Sequence, residues 1–262
     1  MTFYISLVVE YLKNYMKTRL TYRSDFWIDV ISDLMFNGLN LFFILVVFLQ
    51  TQSLGGWNQE QILFIYGYFM IPYGIFITFF NLWGFSERYI VKGEMDRILT
   101  RPAYNLWQLM LENLSPSSLF SALAGLIVMI YSWVKLELPF HWHDPLIFIL
   151  MVVGSILIYA GVYISLTSLA FFSDAPTGIL PLIWNIQNYG RYPATIYNKL
   201  LRSILTWILP FAFVGFYPAA YFIDPANWKW FALLTPVMGV VFCFIGITVW
   251  NIGVKRYRGA GS

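Results

Sequence analysis

The chain has 262 residues, of which 59% are hydrophobic, 20% aromatic and only 11% charged, and its formal net charge is +3. Soluble domains carry about 25% charged residues. The chain has too few charged residues to form a water-exposed surface around so many apolar residues. This composition excludes a soluble enzyme, a disordered chain and a nucleic-acid-binding domain. The single cysteine, Cys243, excludes an intrachain disulfide and a cysteine-based metal cluster.

Residues 1–24 predict an amphipathic helix that lies in the membrane interface. Apolar side chains recur every three or four residues, while Glu10, Lys13 and Lys17 occupy the opposite face. These charges interrupt any apolar core, and no small-residue cleavage site follows, so we do not expect a signal peptide. A solvated helix packed on a partner protein is the alternative.

Six charge-free intervals of 21 residues or more follow. Each is long enough for a transmembrane helix, which needs about 20 mostly apolar residues. A membrane barrel would show ten-residue stretches of alternating polarity instead. The predicted fold is therefore all-α and integral to the membrane, with residues 25–262 forming a six-helix transmembrane domain. The predicted spans cover residues 28–49, 61–83, 112–134, 145–171, 203–222 and 230–252.

The fifth span and the stretch before it are the least regular parts of the pattern. Residues 175–190 are free of charge, but at 16 residues they are too short and too polar to cross alone. Residues 191–204 predict an amphipathic helix on the cytoplasmic face. Pro210 and Pro218 then interrupt the apolar run, so a straight span and a span that ends in a short re-entrant turn both fit.

The basic residues set the orientation of the chain. Six spans place both termini on one side, and a cytoplasmic N-terminus puts 14 of the 16 Lys and Arg residues inside. Only Lys135 and Lys229 remain outside. Because cytoplasmic loops carry an excess of Lys and Arg, we expect both termini in the cytoplasm.

The loop between the second and third spans, residues 87–102, carries charges of both signs. Six of them fall within the eleven residues from Glu87 to Arg97, and Pro102 ends the stretch. The apolar residues between them occupy about half of a helical wheel, so a short helix would rest on the membrane body and present its charges to the cytoplasm. A loop that only fixes orientation gains nothing from three acids. We therefore predict a docking surface.

Polar residues also lie within the predicted spans. Asp25, Asp29 and Asp33 share one helical face at the start of the first span. A proton or cation site is one interpretation, because carboxylates within a membrane are costly and tend to be functional. Pairing with Arg23 or with the entry helix at the cytoplasmic interface is the other, and we favour it. Three amides should face protein or a transport path, because lipid offers no hydrogen-bond partner: Asn37, Asn40 and Asn81.

The loop between the third and fourth spans holds the two histidines of the chain, His141 and His143, beside Asp144. The pattern would suit zinc or a membrane hydrolase. A zinc site, however, needs a third or fourth ligand that this short loop does not obviously provide. We therefore favour a solvent-exposed loop in which Trp142 is an anchor at the membrane interface, and we predict no metal.

The order of these parts resembles the membrane subunits of ABC-2 type transporters, specifically the bacterial permease subfamily with six spans and no fused ATPase domain. The likeness covers nearly the whole chain, and its most specific piece is residues 93–102, which read GEMDRILTRP. The other matching pieces are Gly55-Gly56-Trp57, Tyr192-Pro193, Pro210 and Pro218-Ala219.

The resemblance implies the permease subunit of an ATP-driven exporter in the bacterial cytoplasmic (inner) membrane, which moves a hydrophobic or amphipathic substrate outward. The loop after the second span would be a coupling helix, seated in a separate cytoplasmic ATPase. Two ATPase copies and a second permease chain, identical or related, are the implied partners, together with membrane lipid. ATP and Mg would bind to the ATPase, since this chain has no phosphate-binding loop. The implied contacts are Glu87, Arg88, Lys92, Gly93, Glu94, Asp96 and Arg97.

Two other functions stay open at this point. A proton-coupled secondary transporter would use Asp29 and Asp33, and transport would then not depend on ATP. An integral-membrane enzyme would use His141 and His143, and replacing both by alanine would abolish its activity. The permease itself is expected to have no catalytic, cofactor-binding or metal-binding residues, and no nucleic-acid partner is expected.

Overall fold

The computed structural model describes residues 9–11, 13, 17, 23–172, 179–257 and 259. Within them the chain is built from helices and turns, with one isolated β-bridge between Leu54 and Trp57. The predicted all-α membrane fold is confirmed. The entry helix predicted over residues 1–24 lies mostly outside the described residues.

Eleven α-helices have both ends within the described part of the chain. In chain order they are α1 (Arg23–Phe48), α2 (Gln59–Phe79), α3 (Met95–Leu99), α4 (Asn105–Glu112), α5 (Leu119–Lys135), α6 (Asp144–Thr167), α7 (Ile179–Gln187), α8 (Lys199–Ser203), α9 (Phe216–Ile223), α10 (Pro225–Leu233) and α11 (Thr235–Arg256). Five stretches are long and apolar enough to cross a membrane: α1, α2, α5 with the turn before it, α6 with the turn after it, and α10 with α11. They overlap the predicted spans one to four and six.

Helix α2 is the centre of the bundle. A capping box begins it: the Asn58 and Gln61 side chains each accept a hydrogen bond from the other residue's backbone N–H, both at 2.9 Å. Nearly every residue from Ile62 to Pro72 is buried. Helix α1 lies at the periphery, with only 17% of its most apolar stretch buried against 78% for α2.

Glycines let the long helices approach each other closely. Gly154 and Gly161 of α6 face Gly239 and Gly246 of α11, and a Cβ built on Gly161 would lie 2.2 Å from the carbonyl of Phe242. A similar glycine contact joins α2 to α5. Lipid tails are as apolar as the side chains, so close packing of small residues, rather than a hydrophobic drive, holds such helices together.

A further passage through the bundle is made by α7 and the short turns after it, up to Ile196. The Trp184 indole donates to the Tyr73 hydroxyl at 3.3 Å, near the C-terminal end of α2. Further along, the Arg191 guanidinium lies 5.5 Å from the Phe69 ring centre. Finally Thr195 accepts a hydrogen bond from the Trp57 indole at 3.0 Å, just before α2 begins. The segment therefore runs antiparallel to α2 over most of its length.

This passage differs from the sequence-based expectation for residues 175–190 and 191–204. We expected the first range to be too polar to cross and the second to lie on the cytoplasmic face. Polar groups in a bundle are tolerated when protein satisfies them. Gln187 and Arg191 are buried in the interior, and the Asn185 amide bonds back to the Pro181 carbonyl at 3.0 Å.

Residues 199–223 form a hairpin that enters and leaves the bundle at the same end. Its two limbs meet where the Thr206 and Tyr217 hydroxyls lie 3.0 Å apart. The bend reaches the middle of the bundle, since the Ser155 hydroxyl of α6 donates to the Phe213 carbonyl at 3.2 Å. For residues 203–222 a straight span and a span that ends in a re-entrant turn both fitted the sequence, and the structure has a hairpin there. Pro210 breaks the helix, as proline does in a helix interior, and the full passage comes earlier, in α7.

The bundle has two distinct ends. We call the end with residues 49–58 and 136–143 the Trp57 end and the end with residues 80–118 the Glu112 end. The first residues of α1 lie at the Glu112 end, where the Phe26 and Phe120 rings are 6.2 Å apart. The last turns of α11 lie there too, because the Trp250 indole donates to the Asn105 side chain at 2.8 Å.

Because of the hairpin, three basic residues do not lie on the side of the membrane that the sequence predicted. Lys199 and Arg202 follow directly on Thr195 at the Trp57 end, and Arg191 is buried between the ends. They were predicted to be cytoplasmic with the Glu112 end. The other eleven basic residues predicted inside still outnumber those predicted outside, so the expected orientation is unchanged.

This arrangement predicts a labelling pattern. In a Cys243→Ser background, Lys199→Cys should react with a membrane-impermeant maleimide from the same side as Trp142→Cys, and from the side opposite to Asp96→Cys. All three side chains are exposed, so the result depends on the side of the membrane at which each residue lies, and not on its burial. Labelling of the position-199 cysteine from the Asp96 side would instead restore the sequence-based topology.

Candidate functional site

The charged loop predicted over residues 87–102 is compact and has three parts. A π-helical turn, Ser86–Val91, follows the end of α2, and π-turns are frequent at functional sites. Gly93 then adopts φ +74°, a backbone conformation that favours glycine, and reverses the chain into α3. We call residues 86–104 the charged loop.

Apolar contacts fix the charged loop on the bundle. Met95 and Ile98 are fully buried, as expected for the inner face of the predicted helix. Val91 and Leu99 were expected on that face too, but they are exposed because Gly93 turns the chain between the two helical pieces. The Gln108 amide of α4 donates to the Ile98 carbonyl at 3.2 Å and thereby ties α3 to α4.

Glu112, at the end of α4, is the centre of the polar contacts of the charged loop. Its side chain is only 9% exposed. The Arg97 guanidinium donates to both carboxylate oxygens, at 2.8 and 2.7 Å, in the bidentate geometry that makes such pairs strong. Arg101 donates at 3.2 Å. The Tyr89 and Tyr11 hydroxyls add bonds of 3.2 and 3.1 Å, so the N-terminal segment joins the same network.

The electrostatics of the network favour the ionised carboxylate. Burial alone raises the pKa of Glu112, but the hydrogen bonds and charge of Arg97 outweigh it, so the pKa lies below the ordinary 4.5. Glu112 in turn raises the pKa of Arg97. Burial raises the pKa of Tyr89 to about 12, which keeps its hydroxyl a donor at neutral pH. Near pH 7 the network therefore contains an ionised Glu112 carboxylate that is hydrogen-bonded to a charged Arg97.

The remaining predicted contacts lie on the outside of the charged loop. Lys92 and Glu87 pair at 3.0 Å with both side chains more than 60% exposed. Arg88 pairs with Glu94 at 3.0 Å, and Glu94 also lies 3.5 Å from Arg97. The Asp96 carboxylate is exposed and lies near Gly259. The seven predicted residues thus form one surface, which Glu94 and Arg97 connect to Glu112.

Two of the polar residues predicted in the first span, Asp33 and Asn37, lie at a junction of three helices. Asp33 accepts a hydrogen bond from Ser121 of α5 at 3.1 Å, and Asn37 donates to the same hydroxyl at 3.2 Å. Tyr66 of α2 donates to the Asn37 carbonyl at 2.8 Å. Asp29, by contrast, is exposed.

The other two predicted amides do not join this junction. Asn40 donates to the Phe36 carbonyl of its own helix at 2.7 Å. Asn81 was expected inside the second span, but α2 ends at Phe79 and Asn81 is exposed. There it lines a cavity of about 190 Å³, together with Tyr73 and Trp184.

Sequence reasoning missed two residues. Glu112 follows an apolar stretch, and its partners Arg97 and Arg101 are 15 and 11 residues away, so only the fold shows that they are in contact.

Arg191 is the second residue; it was predicted to lie in the cytoplasm but is 4% exposed. It bonds to the Asn188 side chain and lies over the rings of Tyr66 and Phe69, while its Nε has no hydrogen-bond partner in the described part of the chain.

His141, His143 and Asp144 lie together at the opposite end, where the loop before α6 meets the first residue of that helix. They are separated from the charged loop by the length of the bundle. The two sets of residues therefore do not belong to one site.

The comparison with protein families agrees with this architecture. The family model described as ABC-2 family transporter protein matches residues 34–261, a range that includes the whole charged loop and Glu112. Among curated proteins and among solved structures, no match to the chain was found. The chain therefore belongs to the ABC-2 family of transporter proteins and is a multi-pass membrane transport subunit.

Proposed function

We propose that the chain is the permease subunit of an ATP-driven exporter, powered by a separate cytoplasmic ATPase that docks on the charged loop. The observation that carries the proposal is the buried Glu112 carboxylate, which holds Arg97 and Arg101 of the charged loop against α4. An exposed charged surface with such a rigid attachment can receive a mechanical displacement and pass it on. ATP and Mg would bind to the ATPase, in two copies.

A continuous set of contacts leads from the charged loop to the centre of the bundle. Helix α4 ends at Glu112, and three residues later the Ser115 backbone N–H donates to the Thr78 carbonyl of α2 at 2.9 Å. Helix α5 then packs against α2 through Gly125 and Gly67. Because packed helices move as units, a push on the charged loop would shift α5 and α2 together.

The proposed cargo is hydrophobic or amphipathic. A cluster of aromatic rings lies between α2 and α6, with the Phe76 and Tyr159 ring centres 5.0 Å apart. Arg191 adds a buried positive charge between this cluster and the hairpin at residues 199–223. Outward export, the bacterial inner membrane and a cytoplasmic Glu112 end complete the proposal, and the basic residues of the charged loop support this orientation.

A second permease chain, identical or related, would complete the transport path. Helix α1 leaves most of its apolar side chains exposed, among them Met35, Leu39 and Phe42. Lipid tails can contact this apolar surface without cost, and a second helical bundle could pack against the same surface.

The docking surface can be tested with two exposed lysines at opposite ends of the bundle. Lys92→Glu should lower co-purification of an ATPase in mild detergent about tenfold, the loss that about 1.4 kcal/mol produces. Lys229→Glu, the same change near the Trp57 end, should leave recovery unchanged. Equal recovery with both variants, or no ATPase with the unmodified chain, would contradict the proposal.

A further inference from the structure

The loop between α5 and α6 brings three metal-ligating side chains together at the Trp57 end. His141 Nδ1 lies 3.4 Å from one Asp144 carboxylate oxygen, and His143 Nε2 lies 3.7 Å from the other. One ligand atom from each residue falls within 4.8 Å of the others. The two imidazole rings stack with their centres 5.3 Å apart. The sequence places the three residues close together, and the structure brings their ligand atoms into one cluster.

We propose that His141, His143 and Asp144 form a zinc(II) site. Zinc binds histidine nitrogen and carboxylate oxygen at about 2.0–2.2 Å, so two ligands of a tetrahedral ion lie about 3.3 Å apart. Each imidazole nitrogen lies close to this distance from one carboxylate oxygen, although the two contacts are to different oxygens. The three ligand atoms lie within 4.8 Å of one another, so rotation of the exposed imidazoles would bring them around one ion. Water would fill the fourth position.

The carboxylate is the fixed element of the site. The Asp144 side chain is 7% exposed and accepts a hydrogen bond from the His141 backbone N–H at 2.7 Å. Such outer contacts orient a metal ligand before the ion arrives. The imidazoles of His141 and His143 are 56% and 41% exposed, so an ion can reach them from water.

The donor set also selects the class of ion. Two imidazoles and one carboxylate suit zinc and its neighbours in the first transition series, whereas magnesium and calcium prefer all-oxygen sites. Zinc would therefore bind here in preference to the abundant hard cations.

A bound ion would stiffen the bundle beside the hairpin at residues 199–223. It would tie the loop before α6 to the first turn of that helix. Phe140 and Asp144 line an apolar cavity of about 350 Å³ that Phe222 of α9 also lines. The proposed site thus lies next to the point where the hairpin leaves the bundle. This inference does not depend on the proposed ATPase.

The test uses the full-length protein in detergent, purified without a polyhistidine tag and stripped with EDTA. Calorimetric titration with zinc chloride should give one site per chain with a micromolar Kd, and zinc should raise the thermal unfolding temperature. Trp142→Ala, which lies between the ligands, should behave like the unmodified chain. His141→Ala with His143→Ala should weaken binding at least tenfold and abolish the thermal shift. Magnesium chloride should have no effect in any variant.

Two results would overturn the proposal. One is zinc binding that survives the double histidine substitution, which would place the ion elsewhere in the chain. The other is the lack of binding to the unmodified chain below 1 mM zinc. Both substituted histidines are exposed, so the double variant should fold, and its unfolding temperature without zinc checks this directly.

Discussion

Glu112→Gln is expected to weaken the attachment of the charged loop to α4. The substitution keeps the shape of the side chain but removes the charge that Arg97 and Arg101 share, at a carboxylate that is only 9% exposed. Leaving such donors without a charged acceptor costs about 1–3 kcal/mol, and the partial exposure of Arg97 favours the lower part of this range. Amide hydrogen exchange of α3 should therefore become about tenfold faster.

The matched control for this experiment is Glu87→Gln. Glu87 also pairs with a basic residue of the charged loop, Lys92 at 3.0 Å, but both side chains are largely exposed. Exposed pairs contribute at most about 1 kcal/mol, and many contribute nothing measurable. Exchange in α3 should therefore stay close to that of the unmodified chain. Equal exchange in the two variants would show that Glu112 does not anchor the charged loop.

The pH dependence of this difference follows from the lowered pKa of Glu112. A carboxyl group whose folded pKa is depressed stabilises the fold fully above its ordinary pKa of 4.5, and loses this contribution as the pH falls through the lower folded value. The difference between the unmodified chain and Glu112→Gln should therefore be constant from pH 5 to pH 8 and shrink in more acidic solution. A difference that changes near neutral pH would point to another group.

Gly161→Ala is expected to destabilise the bundle severely. A Cβ at this position would lie 2.2 Å from the Phe242 carbonyl of α11, where backbone and not a flexible side chain must move. Helices α6 and α11 would then separate where Gly154 and Gly161 face Gly239 and Gly246. Overpacking of this kind costs about 1–3 kcal/mol or more. We expect a clear fall in the thermal unfolding temperature and in the yield of monodisperse protein.

The same substitution at Gly38 provides the control. Gly38 lies in α1, and a Cβ built there meets nothing within 4 Å. Alanine is favoured over glycine in a helix interior by up to about 1 kcal/mol, so Gly38→Ala should leave stability unchanged or raise it slightly. If Gly161→Ala is as stable as Gly38→Ala, then α6 and α11 do not pack as described.

The long helices were predictable because their signal is local. A charge-free run of more than 20 residues has few alternatives to a membrane helix, and the stretches over α1, α2, α5, α6 and α11 were recognised from it. The charged loop was predictable for a similar reason, since its mixed charges interrupt the apolar pattern. The role of that loop in docking remains a prediction.

The fifth passage was not predictable from length and polarity. Residues 179–196 contain amides and Arg191, which cost too much if lipid surrounds them, but protein satisfies several of these groups in the fold. Residues 203–222 are apolar enough for a span, yet Pro210 bends them into a hairpin. Both outcomes depend on tertiary contacts. The same holds for Glu112, whose partners come from the N-terminal segment and from the charged loop.

The most direct test of the proposed division of labour is site-specific photocrosslinking in intact cells. A photoreactive amino acid at Asp96, on the exposed surface of the charged loop, should form a covalent product with a soluble subunit that hydrolyses ATP. The same group at Trp142, at the opposite end of the bundle, should not. An ATPase product from Trp142, or none from Asp96, would contradict the account.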